Sequence, residues 1–180
     1  VEGGLAEYAV CPEGCAALVP DGVDMVDAAV AGCAVATPFH AVGEVAQVKP
    51  GETVLVTGAG GGLGMHAIQL VRLFGARVIG WTRSESKRTA IERVGIDHLI
   101  CGPGERTPVW KQLLDLTDGK GVDVVIDNVG SAAFDDAFRG MAKLGRYVML
   151  GELEGKEVHI NPAFVFSKGA KIIGSLSHRR

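Results

Sequence analysis

The chain has 180 residues, of which 47% are hydrophobic and 22% charged, with a formal net charge of −3. That length suits one large domain, or one domain with a fragment attached, in an ordinary globular protein. The negative charge argues against a general nucleic-acid or membrane-surface binder. The sequence also shows no apolar run of the ~18 residues that span a bilayer and no signal-peptide pattern. A cytoplasmic protein with neither nucleic acid nor membrane as partner is therefore expected.

The opening "VEGGLAEYAVCPEGCAALVPDGV" alternates apolar residues and then turn residues. It reads as a short strand and a loop with little core of its own. Cys11, Cys15, Cys33 and Cys101 are scattered, and nothing downstream completes a four-ligand zinc cluster with Cys11 and Cys15. Two reduced thiols in a loop are the simple reading; a labile disulfide or an adventitious metal site is the other. Asp24 is a plausible N-cap for "MVDAAVAGCAVA", an almost wholly apolar and so buried helix. Pro38 then sits at the first turn of a second helical segment, which stops at Lys49-Pro50-Gly51.

Thr53 to Thr57 is β-branched and apolar, the pattern of a strand buried on both faces. Gly58, Gly60, Gly61, Gly62 and Gly64 follow, then Ile68, Val71, Leu73 and Phe74 at helical spacing, then an apolar strand from Arg77 to Trp81. Strand, glycine turn, helix and strand make the βαβ unit that holds a dinucleotide. Glycines let the backbone approach a pyrophosphate, and free N–H groups at the helix start meet its charge. The spacing is G-x-x-G-x-x-G through Gly58, Gly61 and Gly64, because position 63 is Leu63. A turn without a nucleotide remains the alternative, but the strand-to-helix context is what the mechanism needs.

The alternation continues. Ser84 caps "ESKRTAIERVG", "DHLIC" is a third strand, "GPGERTP" a loop, and "VWKQLLDLT" a helix with Val109, Leu113, Leu114 and Leu116 inward. "GVDVVIDNVG" is a fourth strand, with Asp123 and Asp127 as strand-end polarity. "SAAFDDAFRGMAKLG" is a helix capped by Ser131 and closed by Gly145, "RYVMLGEL" a fifth strand, and "KIIGSL" the last, after a helical turn near Pro162. This order predicts an α/β fold: a Rossmann-type, doubly wound parallel sheet with helices on both faces. Ligands then bind beyond the carboxyl ends of the strands. The five histidines form no ligand pattern, and no hydrolase or P-loop signature is present.

"AAVAGCAVATPFHAVGEVAQVKPGETVLVTGAGGGLGMHAIQLVRLFGARVIG", "GVDVVIDNVG", "GRYVMLGEL" and "GAKIIGS" resemble the medium-chain dehydrogenase/reductase superfamily, the zinc alcohol dehydrogenases and quinone oxidoreductases. The resemblance implies that residues 1–23 are the remnant of a GroES-like catalytic domain and that 24–180 are the dinucleotide-binding domain. Most of the catalytic domain would be absent in front, and its returning segment absent after Arg180. The place of the acidic residue that holds the adenosine ribose in NAD-preferring members is taken by Thr82, followed by Arg83, Ser84 and Lys87. A hydroxyl beside a guanidinium and an ammonium would attract a 2′-phosphate, so NADP(H) is favoured over NAD(H). The alternative is that Arg83 and Lys87 are merely solvated charges.

The resemblance further places Gly58, Gly61, Gly62, Leu63 and Gly64 at the pyrophosphate, and Asn128, Val129 and Leu150 near the nicotinamide. Thr37, the single catalytic candidate, and Phe39 match positions lining the nicotinamide pocket. Cys33 matches the third catalytic-zinc ligand, although a cysteine in an apolar helix is more often packed core. Zinc would bind only in the intact enzyme, since one thiolate makes no tetrahedral site.

The expected function is the NADP(H)-binding domain of an oxidoreductase. It would transfer a hydride between NADPH and a carbonyl, as in alcohol dehydrogenases, or an activated double bond, as in quinone or enoyl reductases, with a small molecule as substrate. The alternative is a cofactor-binding module without turnover. The resemblance also implies a homodimer through the edge strand Lys171–Leu176, against a monomer whose edge is blunted by Lys168, Lys171 and the tail "HRR".

Overall fold

The computed structural model describes residues 7–102 and 107–176. Six strands, β1 (Thr53–Thr57), β2 (Arg77–Thr82), β3 (His98–Cys101), β4 (Val122–Asp127), β5 (Met141–Met149) and β6 (Lys171–Gly174), form one sheet in the order β3-β2-β1-β4-β5-β6. Every pairing is parallel. From β1 the chain builds outward first through β2 and β3, then returns to lay β4 on the other side. The reversal opens a crevice above the carboxyl ends of β1 and β4, the doubly wound arrangement expected from the sequence.

Alternation along the strands supplies two cores. Val54, Val56, Val78, Val124, Ile126 and Val148 face one side, where Ala41, Val42, Ala67, Ile68, Val71 and Ile91 cover them from three helical stretches. Leu55, Ile79, Val125 and Tyr147 face the other side, under Val109, Leu113, Ala133, Phe134, Ala137 and Phe138. The period of two sends neighbouring residues of one strand into different cores, so both faces must be covered. Leu55, Val54 and Val56 are fully buried, and the Phe134 and Tyr147 rings pack at 4.9 Å.

Several expectations need correction. Asp24 does cap the first helix, its carboxylate accepting from Val26 N–H at 2.6 Å. That helix does not break at Pro38, however: Met25–Val45 runs as one helix of 21 residues. Pro38 lacks the N–H an α-helix interior requires, and the stretch Ala31–Val35 just before it is wound as a π-helix. The helix is long and apolar enough, at mean hydropathy 1.4, to cross a membrane by length and composition, a property hidden while Pro38 divided it. Nor is its first half buried: Met25 and Val26 are exposed, while Ala41 and Val42 reach the core. Leu73 is also exposed, the helix Gly62–Leu73 burying Gly64, Ala67, Ile68 and Val71 instead.

The helix that opens at Ser131 ends at Arg139, not Gly145, and its N-cap is Gly130 rather than Ser131. Met141 already belongs to β5 and pairs with Val122; the register then shifts so that Val124 meets Arg146. Residues 142–145 make that irregularity, with Leu144 at φ 62° and exposed. Met, Ala, Lys and Leu all favour helix, which concealed the break at Gly140. The opening strand falls partly on residues 1–6 and the loop around Gly102 partly on 103–106, outside the described residues; residues 7–10 form no strand.

Candidate dinucleotide-binding groove

β1 ends on Thr57, and the chain turns at Gly58 with φ 59°, a left-handed conformation that glycine adopts without strain. Gly61 then caps the helix Gly62–Leu73 with its N–H on the Gly58 carbonyl at 2.9 Å. A side chain at Gly64 would stand 2.3 Å from the Gly58 oxygen and 2.9 Å from Ala59 Cα. Gly64 is therefore what lets the helix start lie against the turn, while space is open around a Cβ at Gly62. The N–H groups of the first helical turn lack intrahelical partners and favour an anion.

Above this turn lies a groove of about 640 Å³, lined among others by Gly58, Gly61, Leu63, Thr82, Arg83 and Asn128. That size is ordinary for a cofactor site. Among the described residues its cations are Arg83 and Lys87, and no acidic side chain lines it. Lys87 lies over the glycine turn and donates to the Gly60 carbonyl at 3.0 Å; a side chain at Gly60 would meet it at 2.6 Å. Thr82 is buried at the end of β2, its hydroxyl oxygen accepting from Ser84 N–H at 3.2 Å, which leaves the hydroxyl proton free to donate.

The floor is set by Asp127, fully buried at the end of β4. Its carboxylate accepts from the Thr57 hydroxyl at 2.5 Å, the Tyr147 hydroxyl at 2.8 Å and the N–H groups of Val129 at 3.0 Å and Gly130 at 3.2 Å. Burial, then the charge and hydrogen bond of Asp127, push the Tyr147 phenol far above its usual range, so it stays a donor. The Asn128 amide donates to the Thr57 carbonyl at 2.9 Å, and its buried oxygen has no partner among the described residues. Beside it, Glu152 accepts from the Ser131 hydroxyl and N–H at 2.8 and 2.7 Å, and these bonds with those from Glu154 and Gly155 N–H hold its pKa down at about 2.

The model of the zinc-binding dehydrogenase family matches residues 62–180, well over half of the sequence. The chain belongs to that family, and with it to the medium-chain dehydrogenase/reductase superfamily. Among curated relatives, a phenolphthiocerol/phthiocerol polyketide synthase of Mycobacterium tuberculosis is 33% identical over 85% of the chain and 7% of its own length. An acryloyl-coenzyme A reductase of Sulfurisphaera tokodaii is 32% identical over 88% of the chain and 46% of its own. Among solved structures, an NAD-dependent alcohol dehydrogenase superposes with a TM-score of 0.86 at 35% identity, covering 94% of this chain and 49% of that one. A mycobacterial protein complexed with NADPH superposes with a TM-score of 0.79 at 26% identity, covering 88% and 49%. The chain thus spans about half the length, or less, of these relatives.

In this chain Gly58, Gly61, Gly62, Leu63, Gly64, Thr82, Arg83, Lys87, Asn128 and Val129 all line one groove. Leu150 does not: its N–H is held by the Asp127 carbonyl at 2.8 Å and its side chain packs on the core opposite. Thr37 is half-buried on the long helix and stands outside the groove lining, while Phe39 packs edge-on against Phe74. Cys33 is exposed on the π-helical stretch rather than packed, because the first half of that helix meets no core. No group of three metal-ligating side chains forms among the described residues, so Cys33 by itself does not fit a zinc site. Cys11 and Cys15 are free exposed thiols.

Sequence reasoning missed Thr57, Gly60, Trp81, Ala132, Ala133 and Leu153 as groove residues. Thr57 and Gly60 carried a signal, since one ends the strand and the other sits inside the turn. Leu153 carried none: it reaches the groove only because its N–H bonds the Val129 carbonyl at 3.0 Å and folds the chain back.

Proposed function

We propose that this chain is the NADP(H)-binding part of an oxidoreductase that moves a hydride between NADPH and a carbonyl or an activated double bond. The observation that carries the reading is the pair of cations, Arg83 and Lys87, beside the buried Thr82 hydroxyl in a groove that no carboxylate lines among the described residues. The first helical turn after Gly61 would take the pyrophosphate, and Asn128 and Val129 the nicotinamide end. The bound nicotinamide would supply the hydride, while these residues orient it. Acryloyl-coenzyme A reductase among the relatives favours an activated double bond; the alcohol dehydrogenase neighbour favours a carbonyl. Cys33 would act as a zinc ligand only with donors from elsewhere.

Introducing the carboxylate of NAD-preferring enzymes tests the adenosine assignment. The variant Thr82→Asp with Arg83→Ala is expected to lose NADPH affinity and gain NADH affinity in fluorescence titration. Unchanged affinity for both would place the adenosine pocket elsewhere.

The same reading carries a homodimer through β6. Among the described residues its outer edge has no partner strand, Ile172 is partly exposed and Leu176 exposed. Lys168, expected to blunt this edge, instead donates to the Arg139 carbonyl at 3.0 Å and to that of Met141. Light scattering at micromolar concentration should give a dimer, and Ile173→Pro a monomer. A monomer before substitution contradicts this assembly.

A further inference from the structure

The chain after β5 doubles back over the groove, and it is held there by several bonds. Glu152 binds Ser131 and also accepts from its own neighbours, Glu154 N–H at 2.9 Å and Gly155 N–H at 3.1 Å. Leu153 is tied to the Val129 carbonyl and lines the groove. This fixed turn brings Glu154, from the far side of the sheet, to Arg83 at the end of β2. One carboxylate oxygen stands 3.9 Å from the guanidinium, and the other binds the Lys156 ammonium at 2.7 Å.

We propose that Glu154 is a specificity-determining residue that tempers the attraction of Arg83 for a 2′-phosphate. This rests on the NADP(H) reading above and adds a counterweight to it. A cofactor with a free 2′-hydroxyl lets Arg83 keep Glu154 as its partner. A 2′-phosphate dianion must take Arg83 from Glu154, or lie beside a like charge. The Arg83 pair is long and the Arg83 side chain 68% exposed, so it yields readily; Lys156 already offers the displaced carboxylate a second partner. NADPH would then be bound more tightly than NADH, but by less than two cations alone would give. A release step in turnover gains from such a moderated grip.

The test uses NADPH and NADH titrated against the purified protein, its Glu154→Gln variant, and Arg83→Ala with and without Glu154→Gln. Glu154→Gln is expected to raise NADPH affinity about two- to fivefold while leaving NADH affinity unchanged. The gain should vanish when Arg83 is absent, and shrink between about 50 mM and about 500 mM salt. An unchanged NADPH-to-NADH ratio in Glu154→Gln, with Arg83→Ala still weakening NADPH, overturns the role of Glu154 alone. Equal weakening of both cofactors makes Glu154 a prop for the turn and likewise overturns it. If Arg83→Ala leaves NADPH affinity unchanged, the adenosine-end reading itself fails, and this proposal with it.

Discussion

The two ends of the parallel sheet are built from similar residues and finished in opposite ways. At the amino ends, carboxylates close the strands: Asp123 accepts from Thr53 N–H at 2.8 Å, and Asp97 from Val78 N–H at 2.7 Å. Glu52 accepts from Lys49 N–H at 2.9 Å and from the Arg146 guanidinium at 2.6 Å. Asp97 and Glu52 there are paired with Arg72 and Arg146 within the chain. At the carboxyl ends, Asp127 is spent on the floor, and the groove keeps Arg83, Lys87 and the N–H groups of a helix start. What an edge leaves unmatched is where a ligand's charge belongs; the sealed edge serves stability.

That contrast is broken most forcefully at Gly64. A valine there meets backbone at 2.3 Å, which no rotamer relieves, so Gly64→Val is expected to cost about 3 kcal/mol, read as a lower urea midpoint. If Gly64→Val unfolds at the same urea concentration as the original, the close helix–turn contact is wrong.

At the sealed edge the effect is smaller and depends on pH. Burial pushes the Glu52 carboxyl up, but the hydrogen bond from Arg146, that from Lys49 N–H and their charges outweigh it and hold it below the usual 4.5. A depressed folded pKa contributes stability that is fully present above the unfolded value and is lost as pH falls through the folded one. Glu52→Gln should therefore cost about 1–2 kcal/mol at neutral pH. The deficit should shrink on acidification below about pH 4.5. A deficit independent of pH would show that packing rather than charge is at stake.

Gly62→Val sharpens the contrast with the least disturbance. Open space surrounds its Cβ, so stability should change by no more than about 0.5 kcal/mol while cofactor binding is lost. Retained affinity in this folded variant would remove the pyrophosphate from the turn.

The βαβ unit and the doubly wound parallel sheet were legible because β-branched runs, glycines and helical spacing each pointed the same way. Gly62 and Gly64 were both read as pyrophosphate glycines, yet Gly64 is held by backbone contact and Gly62 faces free space. Residues 141–145 misled because a helix-forming composition continues past Gly140. The exposure of Met25, Val26 and Cys33 was not readable, since an apolar helix says what it can bury and not whether anything meets it. Arg83 was readable as a cation at the end of β2, but Glu154, 71 residues on, met it only through the fold.

The most direct measurement is the affinity of the unmodified protein for NADPH and for NADH, titrated by fluorescence in the same buffer. The account predicts tighter binding of NADPH, the difference falling as salt screens Arg83 and Lys87. Equal affinities, or a preference for NADH, would contradict it.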